Sequence, residues 1–493
     1  MPGLNASLYL GLSGLQAQQS ALSVVGHNIA NVNTPGYTRQ RADLTSNQSL
    51  VEGQVYFGTG VSLNTVQGIR DRFLDLQIFR ETAKQTGANE RYSGVDAVST
   101  SLGDTSTTGI AAQIQAFFQG FQELSARPED GALRTNLIGQ AKTMISGMQS
   151  RYTLLGDQRN SADQAIGSLV TEVNTLSEQI AQLNQQIASE ASQGADNDSR
   201  DQRKSLTDKL AGLVGIHVFE DSKGAYQITL DTGAAVLVSG NSSYQLQTTP
   251  GGAALDNHLR VESVMGGSVV DVTAGIKDGQ LGARLDLRDN ILVGFQRQLD
   301  QLAAGVSGQV NLLHRAGFAA DGVTTGNDFF QSGVANGANG LPGIISAATF
   351  YKGMVSALSV NSAVSTNPSL IAAAGVGGAR GDNANAKAMA NLQLATGTVD
   401  TNGDGIGDSG PYSHVVGSLI SDVGTQSQTY KAQSDTQQNL VSALQTQRDR
   451  ISGVDLDEEA ANMMTLQRGY QASARFLSVI NQLTDQLVNQ FGR

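Results

Sequence analysis

The feature that most constrains the fold of this chain is a series of apolar residues near its amino terminus. Four of them fall seven residues apart and three more lie in the turns between, namely Leu8, Leu15, Leu22 and Ile29, then Leu4, Leu12 and Val25. This spacing predicts one helix with a narrow apolar stripe, which is the geometry of a coiled-coil seam. The helix should end at Asn33-Thr34-Pro35-Gly36, because a proline disfavours the helical conformation in the residue before it.

This first helix needs a partner, since Gly11, Gly14 and Gly26 lie inside it and each costs about 1 kcal/mol relative to alanine. The carboxyl-terminal end carries a similar apolar series. We predict that residues 1–41 and 455–493 pair as a coiled-coil-like assembly domain. The expected assembly interface consists of Leu8, Leu15, Leu22 and Ile29 at one end and Met463, Leu466, Tyr470, Leu477, Ile480 and Leu487 at the other.

The middle of the chain is predicted to be mainly α-helical. Residues 166–187 and 285–313 repeat apolar side chains every seven positions, and we expect the first of these helices to pack within its own chain rather than in a two-stranded coil. Residues 42–68 are typical of a short extended segment or a hairpin. Residues 213–278 contain short β-rich runs between glycine turns, which predicts a small inserted antiparallel β subdomain. The fold class is therefore an elongated helical bundle, 42–212 and 279–454, with terminal coiled-coil helices and this insertion.

Composition excludes several classes of function. The net charge of −12 argues against a nucleic-acid partner, which would require a basic surface. The absence of cysteine excludes disulfides and thiolate chemistry. No apolar run is long enough to cross a membrane, and the first residues do not resemble a secretory signal peptide, so no membrane insertion is expected. No nucleophile–base pair or histidine cluster is present in the sequence, so we expect neither an enzyme nor a cofactor.

One acidic stretch has the spacing of a calcium loop. Asp400, Asn402, Asp404 and Asp408 provide oxygen ligands at positions 1, 3, 5 and 9, and Gly405 stands at position 6. Position 12 is Pro411, where a calcium loop has a bidentate glutamate. The favoured interpretation is an acidic solvated loop, with a weak calcium site as the alternative.

The terminal segments also resemble a known family. SGLQAQQSALSVVGHNIANVNTPGYTRQR is similar to the amino-terminal signature of bacterial flagellar axial proteins, which comprise the rod, hook and hook-associated proteins. GVDLDEEAANMMTLQRGYQASARFLSVINQLTDQLVN resembles the matching end of the hook-associated protein 1 family. Residues 281–292, 311–330 and 377–393 resemble the same family, so the likeness spans most of the chain.

This resemblance implies a structural subunit at the hook–filament junction. The subunit would leave the cell by the flagellar type III route, and its place would be the extracellular flagellum. Its partners would be further copies of itself, the hook protein, the next hook-associated junction protein and an export chaperone on the carboxyl-terminal helix. The alternatives are another hook or junction subunit, or a secreted adhesin or hydrolase that shares the export signature.

The chain departs from the family pattern at one place. Many relatives carry a substantial outer β domain after the counterpart of Asn327-Asp328-Phe329-Phe330, whereas here a short connection leads to residues 357–360. We therefore expect a slimmer subunit, without the surface functions that such a domain carries elsewhere.

Overall fold

Long helices dominate the computed structural model, which describes residues 2–52, 55–102, 109–190, 196–253, 256–333, 352–396 and 410–491. The long helices are α1 (Pro2–Ala30), α2 (Arg72–Leu102), α3 (Ile110–Ala126), α4 (Gly131–Glu190), α5 (Asn197–Leu213), α7 (Leu292–Ala316), α11 (Tyr412–Ser452) and α12 (Leu456–Phe491). The short helices are α6 (Gly279–Asp286), α8 (Met354–Ala357), α9 (Ser362–Thr366) and α10 (Ala384–Asn391). Helix α3 ends before Pro128 and α4 begins at Gly131, because a proline cannot continue a helix.

The strands form small antiparallel sheets. They are β1 (Gln40–Ser46), β2 (Leu50–Glu52), β3 (Val55–Phe57), β4 (Val61–Gly68), β5 (Ile216–Glu220), β6 (Tyr226–Leu230), β7 (Val236–Ser239), β8 (Ser242–Ser243), β9 (Gln245–Pro250), β10 (Leu259–Met265), β11 (Ser268–Asp271), β12 (Phe330–Gln331) and β13 (Ser359–Val360). β1 pairs with β4 from Gln40↔Gly68 to Ser46↔Val61, which confirms the predicted hairpin. Strands β5 to β8 pair in chain order, and β9, β10 and β11 form a second sheet.

The largest apolar core lies between α3, α4, α7 and α11. Phe117 lies at its centre, with ring centroids 5.2 to 5.8 Å from those of Phe118, Phe121, Phe329 and Phe330. Aromatic residues are few in this chain, and this cluster concentrates them where three helices and a strand meet. Such rings contribute large buried areas and prefer the tilted contacts seen here.

A second core lies where α4 crosses the sheets. Ile166, Val173 and Ile180 on α4 are fully buried, together with Ile228 and Leu237 on the strands. The prediction that this helix packs within its own chain is confirmed. Its partners are α5 and strands β6 to β10 as much as other helices, because the sheets supply a flat apolar face.

The boundary between α6 and α7 is a π-helical segment, Leu287–Ile291. It turns the fully buried Arg288 toward the junction of the two cores. There Nη1 donates to Asp163 Oδ1 and to the Leu259 carbonyl, each at 2.6 Å, and Nη2 donates to Asp289 at 2.7 Å. The extra residue in the turn thus lets one guanidinium join α4 and β10 to the π-helical segment.

The structure therefore confirms the mainly helical fold class with long terminal helices and small antiparallel sheets. The domain boundaries proposed from the sequence stay predictions.

Candidate assembly interface

The two terminal helices pack against each other along their length. On α1 most of the buried residues are small or polar, namely Gly11, Ala17, Ala21 and Asn28, and Val25 is the apolar one among them. The heptad pattern places four other residues at the interface, and each of them is half-buried: Leu8, Leu15, Leu22 and Ile29. Their side chains therefore flank the α1–α12 contact and keep part of their surface free.

The predicted interface residues of α12 follow one face of that helix. Met463, Leu466, Tyr470, Leu477 and Leu487 are half-buried, and Ile480 is buried. The neighbouring faces carry Met464, Phe476, Val479 and Leu483, which are all exposed. Each helix thus uses one face for its partner and presents other apolar residues outward.

Small residues bring the two helix axes close together. A Cβ atom added to Gly11 would lie 2.8 Å from Leu477 Cγ, and one added to Gly14 would lie 3.2 Å from Ser473 Oγ. Gly469 on α12 faces Gln18 in the same way. The sequence pattern indicated only the cost of Gly11 and Gly14 to the helix and not this packing role. The recurrence of small residues at positions 11, 14, 17 and 21 is the signal that could have found it.

The outer surface of the helix pair carries several exposed apolar side chains. Tyr9 is 68% exposed, Met464 56% and Val479 52%, and Leu10, Leu12 and Leu483 are also exposed. Single apolar side chains are common on any protein surface, but several of them on two adjoining helices are typical of an interaction surface. The predicted half-buried leucines border this same surface.

The segment after α1, residues 36–41, binds three other elements through consecutive backbone amides. The Thr38 N–H donates to Asp201 Oδ2 at 2.8 Å, and the Arg39 N–H donates to the Ser452 carbonyl at 2.8 Å. The Gln40 N–H donates to Asn28 Oδ1 at 2.9 Å. These acceptors belong to α5, the end of α11 and α1.

Arg39 also binds the start of α12 with its side chain. Nε donates to Glu459 Oε1 at 2.7 Å, and the two terminal nitrogens donate to the Glu458 carboxylate at 2.7 and 2.9 Å. Glu459 is buried, with 1% of its surface exposed. Hydrogen bonding to Arg39 lowers the pKa of Glu458. Arg448 adds a bond from Nη2 to the Gly36 carbonyl at 3.0 Å.

A polar chain closes the turn at the end of α1. The Tyr37 hydroxyl donates to Asn28 Oδ1 at 2.8 Å, and His27 Nδ1 lies 3.1 Å from the same hydroxyl. Asn28 Nδ2 donates to the Gln40 carbonyl at 2.8 Å. Burial, reinforced by Asp198 and Asp201, raises the pKa of Tyr37, so the phenol stays protonated and keeps donating.

The remaining sequence motifs provide no chemical site in the part of the chain that the structure describes. Within it, no group of three or more histidine or acidic residues could hold a metal ion. Residues 400–408, the possible calcium loop, lie outside the described residues. Among the helices described, none is long and apolar enough to span a membrane.

Three family models match different parts of the chain. Residues 8–38 match the flagella basal body rod protein, and residues 445–490 match the carboxyl-terminal part of the flagellar basal body rod FlgEFG proteins. Residues 95–330 match the helical domain of the flagellar hook-associated protein FlgK. The first two matches cover most of the terminal helix pair, and the third covers most of the two apolar cores.

Whole-length relatives carry one name. The chain is 30% identical over 554 aligned residues to flagellar hook-associated protein 1 of Escherichia coli K12, covering 97% of this chain and 98% of the relative. It is 27% identical to the protein of the same name from Bacillus subtilis 168, covering 99% of each. Because the first alignment is longer than the 493 residues of this chain, that relative has segments without a counterpart here.

A solved structure has the same fold. The flagellar hook junction protein FlgK from Burkholderia pseudomallei superposes with a TM-score of 0.66 at 19% identity, covering 76% of this chain and all of that one.

Proposed function

The chain belongs to the family of flagellar hook-associated protein 1, whose members are structural components of the bacterial flagellum, and we propose that it joins the hook to the filament. Copies of the chain would form a ring of the axial tube at the junction. The observation that carries this proposal is the pair α1–α12, which presents an apolar outer surface beside a separately packed middle.

In this ring the terminal helix pairs of neighbouring copies would lie side by side. The half-buried Leu8, Leu15 and Leu22 on α1 and Leu466 and Leu487 on α12 border the exposed apolar surface, so a neighbouring copy would bury them completely. Fully burying one such side chain stabilises a contact by about 1.5–3 kcal/mol. A repeated subunit can therefore gain much of its contact energy from these two helices.

The route and the partners form a second part of the proposal. We infer export through the flagellar type III apparatus, with a chaperone covering the carboxyl-terminal helix until assembly. The axial neighbours would be the hook protein on one side and the next hook-associated protein on the other. The exposed apolar residues of α12 support a need for such a cover, since they would otherwise promote aggregation.

Electron microscopy of flagella from a deletion strain tests the proposal. Cells lacking the chain should keep hooks but lose attached filaments, and the wild-type gene should restore them. Gold-labelled antibody should bind at a single level between hook and filament in the restored cells. Normal filaments in the deletion strain, or label along the whole hook, would contradict the junction role.

A second measurement separates this role from the alternatives. The purified chain should leave peptidoglycan and other polymers intact and should not promote adhesion of flagella-free cells. Measurable cleavage of a polymer would favour a secreted hydrolase instead, if variants of the terminal helices keep the same cleavage activity.

A further inference from the structure

Residues 36–41 are tied to both ends of the chain and to its middle at once. Three successive amides, of Thr38, Arg39 and Gln40, donate to acceptors on three different helices, α5, α11 and α1. Thr38 also donates from its hydroxyl to Asp201 Oδ1 at 2.6 Å. These acceptors lie on three separate helices, so the segment keeps all three backbone bonds only when all three helices are in place.

The fourth element is α12, which Arg39 reaches with its side chain. Its guanidinium binds Glu458 through two nitrogens and Glu459 through the third, which uses the planar fork fully. Glu459 is buried, and the second oxygen of its carboxylate has no hydrogen-bond partner in the described part of the chain. Without Arg39 this carboxylate would be left buried and uncompensated, a costly arrangement.

We propose that residues 36–41 form a clip that fixes the terminal helix pair at one orientation to the middle of the subunit, and that the clip closes only when both chain ends are present. The clip supplies Arg39 from the amino-terminal end of the chain, and α12 at the carboxyl-terminal end supplies its partners Glu458 and Glu459. Asp201 on α5 anchors the closed clip to the middle. Residues 36–41 thereby couple the ordered conformation of one chain end to that of the other.

The neighbouring contacts strengthen this coupling. Asp201 accepts from Arg70 at 3.0 Å as well as from Thr38, and Asn197 accepts from the Gly68 N–H at 3.1 Å. The hairpin of β1 and β4 is thus fastened to α5 at the same place as the clip. A disturbance at α12 should therefore reach α5 through Thr38 and Asp201, although α12 does not contact either residue in the described hydrogen bonds.

Hydrogen exchange of the full-length chain tests the coupling at the three amides. Arg39→Ala should accelerate exchange of the Thr38 and Gln40 amides about tenfold or more, although neither amide bonds to Arg39 or to α12. Arg39→Lys should give an intermediate acceleration, because an ammonium group cannot reproduce the three-way fork. Arg41→Ala is the matched control, since Arg41 is exposed in the same segment and should leave the amides protected.

The double variant Arg39→Ala with Glu459→Gln provides a second test in the same hydrogen-exchange experiment. Removing the buried charge should restore order to the start of α12 while the Thr38 amide remains fast, because the clip is still unfastened. Unchanged exchange at Thr38 and Gln40 in Arg39→Ala would overturn the proposal, as would Arg39→Lys matching the wild type. These measurements use the purified chain alone, so they succeed or fail independently of the proposed place in the flagellum.

Discussion

His314 is fully buried at the end of α7, where water cannot solvate a charged ring. Its Nδ1 lies 2.7 Å from the Asn327 carbonyl, to which it donates, and its Nε2 accepts from the Ala372 N–H at 3.1 Å. One neutral tautomer thus joins three segments that are distant in sequence. Burial lowers the pKa of His314 to about 4.

The predicted consequence is an acid-dependent loss of stability. In the folded chain the pKa of His314 lies below its ordinary value of 6.5. The contribution of His314 to the free energy of unfolding is therefore complete above pH 6.5 and is lost as the pH falls toward 4. The loss should reach about 3 kcal/mol near pH 4. Denaturant unfolding of wild type and His314→Gln between pH 7 and pH 4 measures it.

The comparison with the variant is necessary because Asp300 titrates in the same range. Burial raises the pKa of Asp300 to about 6, and this acts in the opposite direction, since the protonated acid is favoured in the fold. The wild type should lose more stability than His314→Gln across this range. Equal pH slopes in both proteins would contradict the assignment to His314.

At the scale of elements, α1 and α12 achieve close contact by omitting side chains. Gly11 and Gly14 on α1 face Leu477 and Ser473 on α12. A helix with internal glycines is weak alone, so its stability depends on the partner that the glycines admit. The same glycines therefore lower the stability of the isolated helix and allow the close packing of α1 on α12.

A designed disulfide tests this register. A Cβ atom at residue 14 would lie 3.9 Å from Ser473 Cβ, within the range of about 3.5–4.5 Å that disulfides require. The variant Gly14→Cys with Ser473→Cys should therefore form an intramolecular link on oxidation. The chain has no other cysteine, so mass spectrometry of linked peptides gives an unambiguous readout.

Gly26→Cys with Ser473→Cys is the matched control for this experiment. A Cβ atom at Gly26 has no atom within 4 Å in the described structure, so this pair should remain reduced or form only intermolecular dimers. Efficient internal linkage in both pairs would indicate that the two helices slide, and the register would then be wrong.

At the scale of the whole molecule, the terminal pair lies apart from the cores. The apolar clusters among the described residues draw on residues 74 to 444 and include no residue of α1 or α12. The middle can therefore keep its packing when the ends are altered. This separation suits a subunit whose middle must be folded while its ends serve contacts between copies.

This division leads to a paired prediction. Leu176→Asp places a carboxylate in the second core and should lower the free energy of unfolding by at least about 3 kcal/mol. Leu477→Asp alters only the face of α12 toward Gly11 and should change the free energy of unfolding by less than about 1 kcal/mol. The same substitution should strongly reduce the attachment of filaments. Thermal melts of the purified chains and filament counts in cells measure the two effects.

Gln471→Asp adds the same charge to an exposed face of α12 and serves as the control in the melts. If Leu477→Asp destabilises the free chain as much as Leu176→Asp does, the terminal helices belong to the folding core and the division is wrong.

The sequence by itself determined the helices and their breaks, because local spacing of apolar residues and of proline and glycine acts within a few turns of the chain. The run of Leu8, Leu15 and Leu22 predicted α1, and the short β-rich runs predicted the strands that pack on α4. The family resemblance of both ends was equally visible there, because it rests on contiguous motifs.

Only the tertiary structure decided which faces meet. The heptad pattern pointed to the leucines of α1, whereas the closest approach to α12 occurs at Gly11 and Gly14, since the distance between two helix axes depends on both surfaces together. The bonds of Arg39 to Glu458 and Glu459 join residues about four hundred positions apart, and no local pattern encodes such a pairing. Long-range contacts of charged and small residues are therefore what the fold adds to the sequence.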